Sequence, residues 1–212
     1  AKTTANGFTQ GEMYCANATG GVDRVSADGS TWTKSWASLT NISGEWRLGF
    51  CFDQVGTFGT NLIAVGEDGS VWKVTAAGAK TRLATITNGG LEGAVVITND
   101  AAKWGPWAGK ILTGSRRDHN IYTIDTNGTV TAYPLNILAE DFDMIPPTNN
   151  LYCLSSGVIQ KVPSSYFTNF VGSLLITQPG DGDASYPARL IVVNWDAASA
   201  SFITRIIPNN NA

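Results

Sequence analysis

A short pattern of paired apolar residues recurs along the sequence and limits the folds that the chain can adopt. In three segments, two apolar residues spaced by three are followed four residues later by a glycine: Val22 and Val25 before Gly29, Val71 and Val74 before Gly78, and Ile121 and Ile124 before Gly128. Related pairs lie at 159–162 and 190–193. A glycine there suits a tight hairpin that needs a positive φ. The pattern therefore predicts a repeated unit of strand and turn.

A second repeat lies upstream, at the start of the strand that comes before the apolar pair. In three units an aromatic residue stands before a small linker and the apolar start of that strand. These residues are Phe58, Trp107 and Phe170. Because a repeated position usually packs between units, we expect these three rings to lie in the core. A third repeat relates 13–15 to 151–153.

The spacing of the units predicts the architecture. The last apolar residues of the pairs, Val25, Val74, Ile124, Val162 and Val193, are separated by 49, 50, 38 and 31 residues, against about 40 to 50 for a propeller blade. The strands are short, and no amphipathic helix interrupts them. We predict an all-β protein, a β-propeller of about five blades, with six as the alternative, each with up to four antiparallel strands.

The predicted blades form a single domain over 1–212, with approximate ranges of 10–40, 46–87, 91–136, 140–166 and 167–208. The first unit lacks an obvious innermost strand. The chain is therefore also compatible with being one part of a larger secreted protein.

Charged residues fall in register at the starts of the predicted innermost strands. Phe52, Ile97 and Ile145 are equivalent apolar positions of the repeat, and the residues five positions before them are Arg47, Glu92 and Glu140. Asp141 follows Glu140 directly. Innermost strands line the central channel of a propeller, so these side chains are expected near one mouth. Converging carboxylates suit a hard cation such as Ca²⁺, which binds six to eight oxygens, so Glu92, Glu140 and Asp141 are a candidate metal set. The alternative is that Arg47 pairs with Glu92 or Glu140 and fills the channel.

Two further segments carry candidate ligand-binding residues. Asp118 and His119 lie in a turn expected further out on the face of the channel mouth, and His119 is the only histidine. The alternative for this turn is a solvated hairpin without a function. Trp104 and Trp107 lie on a loop expected at the opposite face, where they are candidates for contact with a sugar or a protein. The candidate ligand-binding residues are therefore Arg47, Trp104, Trp107, Asp118 and His119.

Motifs of nucleophilic catalysis are missing from the sequence, which contains no G-x-S-x-G, H-E-x-x-H or P-loop pattern. The three cysteines, Cys15, Cys51 and Cys153, show no C-x-x-C spacing. Cys15 with Cys51 is the only pair whose bridging fits the blade assignment. The alternative is three thiols that act as small apolar residues.

Composition bears on location and partners. Charged residues make up 15% of the chain, and the formal net charge is −3, so the surface must consist largely of small polar residues, as is common in extracellular proteins. A nucleic-acid partner is not expected, because phosphate contacts require a basic face. No apolar run approaches the ~18 residues of a membrane span. We expect a secreted or cell-surface protein.

Several of these segments resemble NHL and SMP-30-like β-propeller proteins. Residues 121–128 and 70–74 are similar to the strand and turn of those propellers, and 90–93 are similar to the acidic start of an inner strand in the SMP-30/gluconolactonase family. The resemblance implies that Glu92 helps to hold a divalent metal in the channel. The chain departs from the family at the matching position of blade two, where Arg47 is not a metal ligand, and in its shorter length. The resemblance therefore implies a fold more than an activity.

Two functions remain open from the sequence. The first is a non-catalytic extracellular binding or structural module whose partner is a protein, a glycan or copies of itself. The second is a metal-dependent lactonase or other hydrolase of SMP-30-like type with a divalent ion in the central channel.

Overall fold

The structure is a computed structural model that describes residues 1, 4–39, 48–155, 158–180 and 184–207. Within these residues, 17 strands form five antiparallel sheets, of which four are blades and one is a separate two-stranded hairpin. Three sheets have four strands, one has three and one has two. The all-β architecture of the prediction is confirmed.

Blade 1 is the three-stranded sheet, with strands β1 (Met13–Ala16), β2 (Gly21–Val25) and β3 (Trp32–Ser38). Blade 2 contains β4 (Leu48–Phe52), β5 (Leu62–Gly66), β6 (Ser70–Val74) and β7 (Lys80–Thr85). Blade 3 contains β8 (Leu91–Val96), β9 (Ile111–Ser115), β10 (Ile121–Ile124) and β11 (Val130–Tyr133). In blades 2 and 3 the strands follow one another in chain order across the sheet.

Blade 4 differs because a second sheet is inserted into it. It contains β12 (Asp141–Met144), β15 (Leu174–Gln178), β16 (Arg189–Asp196) and β17 (Ser201–Ile206). The separate hairpin of β13 (Leu151–Ser155) and β14 (Val158–Val162) lies between β12 and β15 in the chain. The predicted boundary between blades 140–166 and 167–208 is therefore wrong, since β12 pairs with β15 across it.

Short helices fill the corresponding connection between the first two strands in blades 3 and 4. Blade 3 has an α-helix, α1 (Ala101–Trp104), followed by a 3₁₀ turn (Gly105–Trp107). Blade 4 has a 3₁₀ segment (Ser164–Phe170). The hairpin of blade 4 is thus an extension of a connection that is already elaborated in blade 3. In the described part of the chain, no helix is long and apolar enough to span a membrane.

The apolar pair of the repeat lies on the third strand of a blade. Val74 of β6 stands opposite Leu62 of β5, and Ile124 of β10 stands opposite Ile111 of β9. All four side chains are buried. The same pair lies on β2 of blade 1, so β1 and β2 correspond to the second and third strands of the other blades. The described strands of blade 1 therefore lack an innermost strand, as the sequence indicated.

The innermost strands of neighbouring blades approach closely at glycines. A β-carbon on Gly49 of β4 would lie 1.6 Å from the carbonyl oxygen of Glu92 in β8. A β-carbon on Gly93 of β8 would lie 2.3 Å from the carbonyl oxygen of Glu140, which precedes β12. The first strands of blades 2, 3 and 4 therefore meet at a common hub, and glycine is required where their backbones touch.

The blades pack through four apolar clusters. One joins blades 1 and 2, a second joins blades 2 and 3, and a third joins blades 3 and 4. The fourth packs the β13–β14 hairpin and the adjoining 3₁₀ segment on blade 4. None of these clusters of described residues joins blade 4 back to blade 1. The blades form a row whose two ends are blade 1 and the hairpin.

The predicted alignment of the innermost strands at Phe52, Ile97 and Ile145 is shifted by one residue in blade 2. The backbone N–H groups of Asp53, Ile97 and Ile145 each donate to the carbonyl just before the second strand of their blade. Asp53, rather than Phe52, is therefore the equivalent of Ile97 and Ile145. A bulge in β8 between Leu91 and Ala94 shifts the alignment further. Arg47 lies outside the described residues, so its predicted pairing stays a prediction.

Candidate functional site

Polar side chains gather on the face formed by the loops after the second and fourth strands. At the hub, the guanidinium of Arg116 donates to Glu92 with a nitrogen–oxygen distance of 2.9 Å. The side chain of Glu92 is 9% exposed and that of Arg116 is 24% exposed. Glu92 lies on β8, and Arg116 follows β9 of the same blade. The structure therefore gives Glu92 an arginine partner from the turn of Asp118 and His119, which was expected to lie further out.

The neighbouring arginine links two blades. Arg117 donates to the carbonyl of Asn88 at 3.2 Å and lies 3.7 Å from the carboxylate of Glu67, which follows β5 of blade 2. More than half of the Arg117 side chain is exposed. Because the side chain is exposed, the Arg117 guanidinium is accessible to an anionic group from solvent. An exposed ion pair of this kind contributes little to stability.

Asp118 is held by several donors. Its carboxylate accepts hydrogen bonds from the Asn88 amide at 2.5 Å, the Tyr122 hydroxyl at 2.5 Å and the backbone N–H of Asn120 at 3.2 Å. Desolvation alone would raise the pKa of Asp118, but these hydrogen bonds outweigh it and lower the pKa below its usual value. Asp118 is therefore an ionised group that orders the turn.

His119 lies next in the turn and adopts a positive φ of 59°. Its ring packs on Tyr186 with a centroid distance of 4.1 Å, and the Tyr186 hydroxyl donates to Asn136 at 2.7 Å. Tyr186 precedes β16 of blade 4. The histidine of this hairpin therefore contacts the next blade, and the role of Asp118 and His119 in ligand binding stays a prediction.

The acidic residues predicted as a metal set lie near the hub. Desolvation raises the pKa of Asp141, and the neighbouring Glu92 carboxylate raises it further. Glu140 precedes β12, and Asp141 is its first residue. Across the described ranges, no three histidine, cysteine or acidic side chains are arranged to hold a metal ion. Since Glu92 already binds Arg116, these residues do not fit the predicted calcium site as they are arranged.

The tryptophans proposed for sugar contact are buried. Trp104 is 1% exposed and Trp107 is 0% exposed. The indole N–H of Trp104 donates to Thr98 at 2.9 Å, and Trp107 stacks on Phe202 at 3.8 Å between centroids. The prediction that this loop presents them to a ligand is therefore wrong. The expected core position of Phe58 and Trp107 is confirmed, whereas Phe170 is only partly buried.

All three cysteines are free thiols. Cys15 is exposed, and Cys51 and Cys153 are partly buried. Desolvation, with a smaller effect of Asp53, raises the pKa of Cys51 to about 12. The Cys15–Cys51 bridge is therefore not formed, although both residues line one groove between blade 1 and β4.

Sequence reasoning missed the apolar surfaces at the two ends of the row. On blade 1, Met13 stands opposite Val25, which stands opposite Trp32, and Met13 and Trp32 are 58% and 61% exposed. The alternation of β2 places Val25 on the side of the sheet opposite to Val22, which packs toward blade 2. Met13 and Val25 also line a groove whose other wall is β4 of blade 2.

The hairpin at the other end has a similar outer surface. Tyr152 is 63% exposed and Ile159 is 73% exposed. They share the face opposite to Leu151 and Val162, which pack on blade 4. These two exposed apolar surfaces are hard to recognise in the sequence, because alternating apolar residues are also expected in strands that pack between blades.

Comparison with known proteins shows the fold. No protein-family model matches the sequence, and no curated protein matches it. The structure is similar to that of selenomethionine-substituted virginiamycin B lyase from Staphylococcus aureus, with a TM-score of 0.55 and 12% sequence identity over 94% of this chain and 53% of that one. A streptogramin B lyase structure has a TM-score of 0.47 and 11% identity over 95% of this chain and 67% of that one. The chain spans about half the length of the virginiamycin B lyase, and its predicted resemblance to β-propellers is confirmed at the level of the fold.

Proposed function

We propose that the chain is a non-catalytic extracellular β-propeller module that binds other macromolecules, and that copies of the chain associate through the two ends of the row of blades. The observation that carries this proposal is the exposure of large apolar side chains at both ends. Met13 and Trp32 lie on blade 1, and Tyr152 and Ile159 lie on the hairpin. Contiguous exposed apolar surface is typical of an interaction site.

The internal interfaces support association between the ends. Within the chain, every blade packs its apolar face on the next blade. Each end presents an outer face of the same kind without a described neighbour. Because the two ends differ, a contact between them joins the front of one copy to the back of the next, which is a heterologous interface.

A dilution series in sedimentation velocity tests this proposal. We expect the average mass of the chain to rise with concentration, and we expect salt to affect it little because the surfaces are apolar. A monomer at all concentrations would contradict self-association. Binding to a glycan array, abolished by Trp32→Ala, would assign the exposed indole to a sugar instead.

The hydrolase hypothesis requires that Glu92 be released from Arg116 to bind a metal. A channel ion would be held by Glu92, Glu140 and Asp141 and would polarise a carbonyl group. Thermal melting with and without excess chelator, together with elemental analysis, separates the two hypotheses. An unchanged melting temperature and no bound ion support the binding module, whereas a bound divalent ion and a lower melting temperature in chelator support the hydrolase.

A further inference from the structure

Asparagine is followed directly by glycine at three positions of the chain, which are Asn6, Asn88 and Asn127. Because glycine has no side chain, its backbone nitrogen is sterically open to attack the side-chain carbonyl of the asparagine before it. We propose that Asn127 is a site of spontaneous deamidation in the folded protein, and that Asp118 protects Asn88 from the same reaction.

The reaction is intramolecular and consumes only water. The Gly128 nitrogen forms a bond to the Cγ atom of Asn127 and loses its proton, and the side-chain nitrogen leaves as ammonia. The product is a cyclic imide. Water then adds to either imide carbonyl and breaks its bond to the ring nitrogen. Cleavage at the side-chain carbonyl gives aspartate, and cleavage at the main-chain carbonyl gives isoaspartate, so the net change replaces an amide by a carboxylate.

The second and third Asn–Gly pairs lie in turns with the same backbone arrangement. The N–H of Gly89 donates to the carbonyl of Ile86 at 3.0 Å. The N–H of Gly128 donates to the carbonyl of Asp125, also at 3.0 Å. Both glycines have a positive φ, 63° and 83° respectively, and both asparagines are exposed. Since each turn must open in the same way before the glycine nitrogen can attack, the backbone does not distinguish the two sites.

The Asn88 side chain is held in place. Its amide nitrogen donates to the Asp118 carboxylate at 2.5 Å, and the backbone carbonyl of Asn88 accepts a hydrogen bond from Arg117 at 3.2 Å. Rotation of the amide toward the glycine nitrogen therefore breaks a hydrogen bond to a charged group, which is a strong kind of hydrogen bond. Asn6 is held as well, since its amide donates to the Gly59 carbonyl at 2.7 Å.

The Asn127 side chain differs from both. Its backbone N–H donates to the Asp125 carboxylate at 2.9 Å, but within the described ranges no group forms a hydrogen bond with its side-chain amide. The amide can therefore turn toward the Gly128 nitrogen whenever the turn opens. This site lies apart from both ends of the row, so it is independent of the association proposed above.

Incubation of the folded protein at mildly alkaline pH tests the proposal, because the attacking nitrogen must lose its proton. Peptide mapping by mass spectrometry follows the conversion of each asparagine with time. We expect Asn127 to convert at least about tenfold faster than Asn88, since only Asn88 must first release a hydrogen bond to a carboxylate. In denaturant, where both turns are lost, the two should convert at similar rates. Equal rates in the folded protein, or faster conversion of Asn88, would overturn the proposal.

A matched pair of variants tests the protection by Asp118. Asp118→Ala removes the acceptor of the Asn88 amide, and we expect it to raise the Asn88 rate toward that of Asn127. Asp196→Ala removes a carboxylate that binds Ser199 in a turn of blade 4, and it should leave both rates unchanged. An Asn88 rate that stays at the wild-type value in folded Asp118→Ala would refute the protecting role.

Aspartate substitutions provide a second test that does not require the Asp118→Ala variant to fold. Asn88→Asp has the deamidated side chain and places a carboxylate against Asp118, where like charges repel. Asn127→Asp makes the same change at a side chain without a described hydrogen bond. We expect the melting temperature to fall clearly for Asn88→Asp and to stay close to that of the wild type for Asn127→Asp. Equal melting temperatures of the two variants would contradict the contact that protects Asn88.

Discussion

Gly49 and Glu92 lie on the inner strands of neighbouring blades and approach so closely that a β-carbon on Gly49 would be 1.6 Å from the Glu92 carbonyl oxygen. The contact joins β4 to β8 at the same hub where the Glu92 carboxylate binds Arg116. The packing of two blades and the position of a buried charge therefore depend on one glycine.

Replacing Gly49 tests the hub directly. Since the obstructing atom belongs to the backbone, Gly49→Ala forces the strands apart, and we expect a loss of about 3 kcal/mol in the free energy of unfolding. Ala132→Val on the exposed part of β11 is the control and should change stability by less than about 0.5 kcal/mol. Urea denaturation measures both, and equal stability of the two variants would contradict the close approach.

The Arg116–Glu92 pair should show energetic coupling. We expect Glu92→Gln and Arg116→Met each to cost about 1 to 3 kcal/mol, because each breaks a mostly buried hydrogen bond between charged groups. The double variant should lose less than the sum, with a coupling energy of about 1 kcal/mol. A double-mutant cycle by chemical denaturation measures this, and additive effects would show that the pair contributes nothing.

Asp141 should destabilise the native state at neutral pH. Its pKa in the folded protein is raised above the ordinary value of 3.8, by desolvation and by Glu92. Its contribution is therefore most favourable below pH 3.8 and is lost as the pH rises through the folded pKa. We expect Asp141→Asn to stabilise the protein at pH 7 by a few tenths of a kcal/mol and to have no effect below the ordinary pKa.

Asp196 provides a control of opposite sign, since a hydrogen bond from Ser199 and others lower its pKa. Asp196→Asn should destabilise the protein at pH 7, and the difference should fade as the pH falls through the folded pKa of Asp196. The same pH dependence for both variants would contradict the assignment for Asp141.

The cysteines should differ in reactivity. Because its pKa is raised to about 12 from 9.0, Cys51 remains a thiol at pH 8 and lacks the reactive thiolate. We expect exposed Cys15 to be alkylated at least about tenfold faster in the folded protein, with similar rates in denaturant, as read by mass spectrometry. The contribution of the Cys51 thiol to stability is complete below pH 9.0 and is lost as the pH approaches 12. Equal rates in the native protein would contradict the desolvation of Cys51.

The repeated strand and turn could be predicted from the sequence because the signal is local. Both residues of each apolar pair, Val71 with Val74 and Ile121 with Ile124, lie on one strand next to its turn. The division of blade 4 was not readable, because the β13–β14 hairpin separates β12 from β15 in the chain. Local pattern assigns strands but cannot show that pairing passes over an inserted hairpin.

The site was less predictable for a similar reason. Pairing of Glu92 with Arg116 depends on the register of β8 against β9, and a bulge between Leu91 and Ala94 sets it. Trp104 was expected on an exposed loop, but α1 turns its indole inward to Thr98. Exposure of Ile159 follows from how the hairpin lies on blade 4, which composition does not reveal.

Mixing two blocked variants tests the proposed end-to-end association most directly. Trp32→Lys charges the blade 1 end and Ile159→Lys charges the hairpin end, so each variant alone should be a monomer. Each retains the end that the other has lost, and an equimolar mixture should therefore form a one-to-one dimer in sedimentation velocity. A mixture that remains monomeric at concentrations where the wild type associates would contradict the account.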